Sequence, residues 1–217
     1  MMDVPSTRSR AATIPLIAGR PVLDLVNTIS WRGEPARSED HLHDAADCLT
    51  WAARSGVLTD AEAQELAGRL EQHVGEARAL TTGLRDLRTA VTEAMVPPTT
   101  AAVERVEPLI LETLAHSHLV PDGSHVADHE RYHWAVSSLD HHTPRRRLTL
   151  DLLDLLSSSH ARVGICADNA CQWVFLDASR AQNRQWCDSK DCGNRHRVRR
   201  HQQRQAPATS QADMPLG

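Results

Sequence analysis

The chain has 217 residues, 41% of them hydrophobic, which is enough for one ordinary core plus a small appended module. The apolar stretch at residues 14–18 is interrupted by Pro15 and is too short for a signal peptide, and no run approaches the roughly 18 apolar residues of a membrane-spanning helix. These features argue against a membrane-spanning class and indicate a soluble, cytoplasmic protein.

The net charge of −4 hides an uneven distribution. Residues 162–204 contain nine Lys and Arg residues against four Asp residues, a local charge of +5, so the rest of the chain carries −9. A basic end on an acidic body is typical of a protein in which one part meets a polyanion.

The first part of the chain combines a lead segment with two predicted helices. Residues 1–12 show no periodicity and are predicted to be a flexible lead. A short helix is predicted from Pro21, a favourable first helical residue, to about residues 31–33. A second helix is predicted over residues 42–54, with Gly56 ending it.

Three further helices and a hairpin follow. Thr59 and Glu62 match a capping box and open the third helix, and residues 77–95 and 100–115 have helical spacing. Two short strands, residues 117–120 and 124–127, are predicted on either side of a Pro-Asp-Gly turn. The Leu-rich stretch at residues 148–156 predicts the helix that leads into the C-terminal segment.

Four cysteines near the C-terminus form two pairs, Cys166 with Cys171 and Cys187 with Cys192. Each pair is separated by four residues, and fifteen residues separate the pairs. Two short chelating loops are typical of a chain that wraps four thiolates around one tetrahedral zinc ion, so we predict one structural Zn²⁺ here. Two disulfides and an iron–sulfur site are the alternatives, which a reducing cytoplasm and the spacing respectively disfavour. Cys48 stands alone and is interpreted as a small buried residue.

Around these cysteines, residues 173–176 are the best strand candidate, and residues 182–186 are predicted to return antiparallel to them. A helix is predicted from Cys192 to Arg204, with the last ligand in its first turn. The predicted fold class is mainly α (α+β). It comprises a helical N-terminal domain with a small β-hairpin at residues 13–160, a treble-clef-like four-cysteine zinc finger at 161–204 and a disordered tail at 205–217.

The cysteine segment resembles a known family. Cys166 and Cys171, then Phe175-Leu176-Asp177 and Arg180, then Trp186-Cys187 and the Cys192-Gly-Asn-Arg195 tetrapeptide occur in the order found in the CGNR zinc-finger family. Residues 23–28 and 48–58 are similar to the opening of the ABATE domain, the helical region that usually precedes this finger. The resemblance implies a bacterial, stress-induced transcription regulator whose finger binds DNA.

The predicted last helix is rich in arginine and has a single apolar residue, Val198, after Cys192. A helix that is polar all round is exposed unless a partner covers it, and arginine suits bidentate contact with phosphates or guanine edges. The candidate nucleic-acid contacts are Arg184, Arg195, Arg197, Arg199, Arg200 and Arg204. Two alternatives stay open: a solvated or protein-binding helix, and ion pairs of Arg180 or Arg195 with Asp177 inside the finger.

A competing motif occurs at residues 129–133, where His129-Glu130-Arg131-Tyr132-His133 spells the H-E-x-x-H signature of zinc peptidases. No Glu occurs after Glu130, no third His sits at the extended motif's position, and the neighbouring strand signals argue against a helix. A metallopeptidase is therefore kept only as a remote alternative, and the chain is predicted not to be an enzyme.

The predicted function is zinc-dependent DNA binding by a transcription regulator, and a finger that binds protein or RNA is the alternative. In the N-terminal domain, Asp24, Asn27 and Thr28 form a polar cluster in an apolar helix. We interpret this cluster as capping and core hydrogen bonding, with contact to a small-molecule effector as the alternative. Analogy with bacterial regulators suggests a homodimer.

Overall fold

The computed structural model of the chain describes residues 10–95, 100–126, 129–158 and 162–205. Within these residues, seven helices and three two-stranded antiparallel sheets follow one another. In chain order they are α1 (Pro21–Val26), β1 (Ile29–Ser30), β2 (Glu39–Asp40), α2 (Ala45–Arg54), α3 (Asp60–Gln72), α4 (Val74–Met95), α5 (Thr100–Ala115), β3 (Ser117–Val126), β4 (His129–Val136), α6 (Thr143–Ser157), β5 (Val163–Ile165), β6 (Val174–Leu176) and α7 (Cys192–Gln205).

The core is built around the long helix α4, which packs against α1, α2, α3, α5 and α6. The apolar stripe of α4 is buried at Leu80, Leu84, Leu87 and Val91, as the helical spacing predicts. Five of the six residues of α1 are buried, so this short helix runs through the core instead of along its surface. Burying apolar side chains of this size stabilises a fold by about 1.5–3 kcal/mol each.

Several predicted helix ends are confirmed by their caps. The Thr59 side chain accepts a hydrogen bond from the Glu62 backbone N–H, and the Glu62 carboxylate accepts one from the Thr59 backbone N–H, which completes the capping box of α3. Gly56 adopts a positive φ of 73° just after α2, the conformation that glycine allows at low cost. The bounds of α5 agree with the prediction.

Other helix ends differ from the prediction. The helix α1 ends at Val26, not near residues 31–33, because the next residues turn into β1, which pairs with β2. The helix α2 begins at Ala45, not residue 42, because the Asp44 side chain caps it by accepting a hydrogen bond from the Asp47 backbone N–H at 2.9 Å. Both differences arise where a polar residue ends the apolar pattern.

The predicted hairpin exists, but its turn was placed wrongly. Residues 117–126 form the single strand β3, which pairs with β4, so the Pro-Asp-Gly segment lies inside β3. The register shifts between Pro121 and His125, and this irregularity accommodates the residues that we predicted as a turn. Ala127, the end of the second predicted strand, lies outside the described residues.

Residues 162–205 contain β5, β6 and α7. The predicted return strand at residues 182–186 is wrong, since β6 pairs with β5 instead. The other edge of β6 is already occupied, because the Leu176 N–H donates to the Ala18 carbonyl at 2.7 Å. The fold is thus mainly α with small β elements. Among the described helices, none is both long enough and apolar enough to cross a bilayer.

Candidate metal centre and arginine-rich helix

The hairpin of β5 and β6 presents the first cysteine pair. Cys166 follows β5 and Cys171 precedes β6, while Cys187 lies in the later loop and Cys192 is the first residue of α7. All four side chains are buried, and their sulfur atoms lie within 4.8 Å of one another. The cysteines that the sequence analysis grouped therefore converge on one point, where a hairpin, a loop and a helix meet.

The distances between the sulfur atoms fit a shared metal ion. Cys171 Sγ lies 3.6 Å from Cys187 Sγ, and Cys187 Sγ lies 3.5 Å from Cys192 Sγ. Bonds of about 2.3 Å to a tetrahedral zinc ion would place two sulfurs about 3.8 Å apart, whereas a disulfide bond needs about 2.05 Å. All four thiols are free, so the geometry favours a metal site over two disulfides.

The electrostatics of the cluster also call for a cation. Hydrogen bonds from the Cys171 and Cys187 side chains, with further ones from the backbone of Cys187 and Asp168, lower the pKa of the Cys166 thiol. Burial, followed by the negative charge of Cys171, raises the pKa of the Cys192 thiol. Four thiolates are thus mutually unfavourable in this buried setting, and a bound cation would remove that penalty.

Arg195 joins α7 to the first cysteine loop. Its guanidinium donates to the Asp168 carboxylate at 3.0 Å, to Asp191 at 2.7 Å and to Cys192 Sγ at 2.8 Å. Asp168 is buried, and although burial opposes its ionisation, hydrogen bonds from Arg195 and Arg199 keep the pKa of its carboxyl below the usual value. The ion-pair partners of Arg195 are therefore Asp168 and Asp191, not Asp177. A donor on the sulfur and a fixed carboxylate are typical of groups that orient metal ligands.

Arg184 also has internal partners. Its guanidinium lies 4.2 Å above the ring of Phe175 and donates to the carbonyls of Trp186, at 2.9 Å, and of Cys187. The Asp177 carboxylate, the alternative partner for Arg180 or Arg195 in the sequence analysis, accepts a hydrogen bond from the Arg184 backbone N–H at 2.9 Å. Arg184 therefore holds the loop before Cys187 in place, and the structure does not group it with the surface arginines.

The remaining candidate contacts lie on the surface of α7. Arg197, Arg200 and Arg204 are exposed, and Arg197 makes one long hydrogen bond, 3.4 Å, to the Ser189 carbonyl. No ion pair with a described residue holds Arg200 or Arg204. Arg199 combines an internal contact with an exposed surface. It donates a hydrogen bond to Asp168 at 3.1 Å, while half of its side chain is exposed. The exposed face of α7 is consequently strongly basic.

Two family models match successive parts of the chain. The model of the CGNR zinc finger matches residues 162–205. The ABATE model, described as "Putative stress-induced transcription regulator", matches residues 19–159, which is more than half of the chain. The chain belongs to the ABATE family. No curated protein matches it significantly.

In this ABATE protein, the Asn27 side chain joins the helical region to the CGNR finger by hydrogen bonds. The Asn27 amide donates to the Val174 carbonyl and accepts the Val174 N–H, both at 2.9 Å, so it pairs with β6 as a neighbouring strand would. These atoms are buried, and Val174 has its two backbone groups satisfied by one side chain. Asn27 is thus the main polar link between α1 and the finger.

The loop after β1 makes a second contact with the finger. The Gly33 N–H donates to the Ala170 carbonyl at 3.2 Å, and a Cβ atom at position 33 would lie 1.6 Å from the Asn169 carbonyl oxygen. Only glycine allows this approach. Beside it, the Arg195 guanidinium lies 4.8 Å from the centre of the Trp31 ring. The first cysteine loop is thereby packed directly against the ABATE region.

Sequence reasoning missed these contacts. Asp168 and Gly33 were never singled out, and Asn27 was placed only in a polar cluster. The sequence offered one signal for each residue. Asp168 is a carboxylate two residues after a predicted ligand, Gly33 follows an apolar helix, and Asn27 is an amide within an apolar pattern. None of them names its partner, because the partners are more than a hundred residues away in the chain for Asn27 and Gly33.

The rest of the polar cluster is structural. Asp24 accepts the Ala18 N–H at 2.9 Å, and Thr28 accepts a hydrogen bond from Arg88 at 2.8 Å. The interpretation as core hydrogen bonding is confirmed for all three residues, whereas none of the three side chains caps the N-terminus of α1. Cys48 is buried, and burial raises the pKa of its thiol to about 12, as suits an inert small residue.

The H-E-x-x-H motif lies in β4, a strand, and not in a helix. Along a strand, His129 and His133 are about 13 Å apart at their Cα atoms, against about 6 Å for one helical turn. The backbone therefore does not have the helical form on which the peptidase motif depends.

Proposed function

We propose that this protein is a zinc-dependent DNA-binding transcription regulator of the bacterial cytoplasm. The observation that carries the proposal is the join between the cysteine cluster and the basic helix. Cys192 is at once a member of the cluster and the first residue of α7, so fixing the sulfurs fixes the direction of the arginines. A helix positioned in this way presents Arg197, Arg200 and Arg204 to a polyanion.

The metal we propose is one Zn²⁺ held by Cys166, Cys171, Cys187 and Cys192. Four thiolates complete a tetrahedral shell and leave no position for water, so the ion would be structural rather than catalytic. When bound, it would cross-link β5, β6 and α7. The sulfur distances, the burial of the four side chains and the donor that Arg195 offers to Cys192 all support this assignment.

The nucleic-acid contacts that we propose are narrower than the six arginines predicted from the sequence. Arg197, Arg200 and Arg204 would contact phosphates, and Arg199 would contribute with its exposed half. Arg184 and Arg195 would act indirectly by holding the loop and the helix. Phosphate contact makes affinity fall steeply with salt, by about 0.9 logarithmic units per contact for each tenfold rise in concentration.

The test is charge reversal on the exposed helix face. The triple variant Arg197→Glu, Arg200→Glu, Arg204→Glu should lose most duplex DNA binding, and its salt dependence should be shallower by roughly 2–3 logarithmic units per decade. Its zinc content should equal that of the wild type. The matched control compares two single variants. Arg200→Glu should lower the DNA affinity, whereas Arg105→Glu, which reverses the charge of an exposed arginine on α5, should not. Equal DNA affinity in the triple variant and the wild type would rule out α7 as the contact surface.

Enrichment from a pool of random DNA, RNA and protein ligands separates the proposal from its alternatives. Retention of duplex DNA supports a DNA-binding regulator, whereas retention of RNA or of a protein alone supports the other two classes. Zinc per chain adds an independent check: one ion fits the cysteine cluster alone.

A further inference from the structure

Beside the basic helix, two rings face each other on the surface of the finger. The indole of Trp186 and the imidazole of His196 lie 4.8 Å apart at their centroids, with 35° between the planes. Trp186 directly precedes Cys187 and is half-buried, while His196 lies in the second turn of α7 and is exposed. Neither ring is used by the metal cluster or by the ion pairs around it.

Contacts with Arg184 and with the first turn of α7 hold Trp186 in position. The Trp186 carbonyl accepts a hydrogen bond from Arg184 at 2.9 Å, and a Cβ atom at Gly193 would lie only 3.2 Å from Trp186 Cδ1. The indole therefore rests on the first turn of α7, where glycine leaves room for it. A ring held by the cysteine loop and the helix needs little further ordering before it binds a planar ligand.

The ring pair stands between two surface grooves. One groove, of about 580 Å³, runs past Asp168 and Asn169 to Arg199 and Arg200, and the other, of about 480 Å³, runs past β5. Trp186 and His196 line both. Each groove lies within the size range of small-ligand sites, roughly 300–1,000 Å³, so either has room for a nucleobase.

The charge beside the rings is positive. The Asp168 carboxylate is already neutralised by Arg195 and Arg199, whereas Arg200 has no ion-pair partner among the described residues. His196, Arg200 and Arg204 follow one another at intervals of four residues, so they share one face of α7 and are spaced by about 6 Å. A strand that runs along this face would meet the rings first and a guanidinium at each following turn.

We propose that Trp186 and His196 form a stacking platform for an unpaired base of DNA, with the neighbouring phosphates on Arg200 and Arg204. This inference rests on the proposed function, which it refines from DNA in general to DNA with exposed base faces. In a B-form duplex the faces of every base are covered by its neighbours, so proteins read the base edges. An aromatic surface beside a cationic track is instead typical of single-stranded nucleic-acid binding.

The test compares two labelled single strands of about twelve residues, one of thymidines and one in which abasic sites replace the bases. Both carry the same phosphates, so the basic face of α7 treats them alike. The wild-type protein should bind the thymidine strand roughly tenfold more tightly, as measured by fluorescence anisotropy. Trp186→Ala should bind both equally, and Trp186→Phe should keep most of the preference because phenylalanine also stacks.

The matched control is Trp134→Ala, which removes an exposed tryptophan from β4 and should leave the preference unchanged. Zinc content is measured for every variant, and if Trp186→Ala loses zinc, the wild type and Trp186→Phe decide the question. Equal, salt-sensitive binding of both strands by the wild type would overturn the platform and leave the proposed function standing. Failure to bind single strands or duplex under any condition would overturn both.

Discussion

The ABATE region and the CGNR finger reach a fixed structure by different means. In the ABATE region, the apolar stripe of α4 is buried against five other helices. The finger has few apolar residues of its own, and those that it buries most deeply, Val174 and Phe175, join the same core cluster as the helices. From this comparison we expect the helical region to be stable without a metal, and we expect the finger to depend both on its cysteine cluster and on the region that it packs against.

Loss of one cysteine should separate the two regions most clearly. In Cys187→Ser, the zinc-binding free energy, about 10–16 kcal/mol for structural zinc in small modules, is largely lost, so the finger should unfold. Zinc per chain should fall towards zero, and proteolysis should cleave within residues 162–205 while α4 keeps its helicity. The control Cys48→Ala should retain zinc. Protection of the finger in a zinc-free variant would contradict the comparison.

A cavity in the helical core should lower the stability of the helices and leave the zinc content unchanged. Leu84 is fully buried in α4, and Leu84→Ala should lower the free energy of unfolding by about 2–5 kcal/mol. Urea denaturation measures this loss. Zinc content should stay at the wild-type value below the unfolding transition, since no cysteine is disturbed, and coupled loss of zinc in the folded variant would show that the regions are not separable.

Removal of the link between the regions should have a more local effect. Asn27→Ala leaves the buried N–H and C=O of Val174 without partners, at a cost of about 1–3 kcal/mol for each group. Hydrogen exchange should therefore speed up in β6 before it does so in α4. The exposed residue Asn183 provides the matched control, as Asn183→Ala should change neither rate.

The smallest expected effect is a pH dependence from Asp24. Burial raises the pKa of its carboxyl to about 6 in the folded state, against about 4 when unfolded. The folded state therefore binds the proton more tightly, and the stability that this gives is complete below pH 4 and is lost as the pH rises through 6. Asp24→Asn should remove roughly 2 kcal/mol of this dependence in unfolding curves at pH 4 and pH 7, and an unchanged pH profile would exclude Asp24 as its source.

Local signals predicted the parts of this structure that depend on near neighbours. The Thr59 capping box, the glycine after α2 and the apolar stripe of α4 are each decided within a few residues. The grouping of the four cysteines was also predictable, because two chelating pairs leave few ways to surround one ion. Family membership likewise followed from motifs that are short and contiguous in the sequence.

The remaining features depend on partners that are distant in the chain. The edge of β6 that we expected residues 182–186 to fill is taken by Ala18 and Asn27, and nothing in the local pattern indicates this. Arg184 and Arg195 are chemically identical to the exposed arginines of α7, and only the positions of Phe175, Asp168 and Cys192 distinguish them. The sequence shows how many cations the finger has, but not which of them face outward.

The paired hydrogen bonds of Asn27 have a practical consequence for dissecting this protein. A fragment cut just before residue 162 would expose the backbone N–H and carbonyl of Val174 to water. It would also lose the close contact between Gly33 and the first cysteine loop. Such an excised finger is a poor surrogate for the intact chain in binding assays. A chimaera that transplants the finger onto another helical region would need an asparagine and a glycine at the equivalent places.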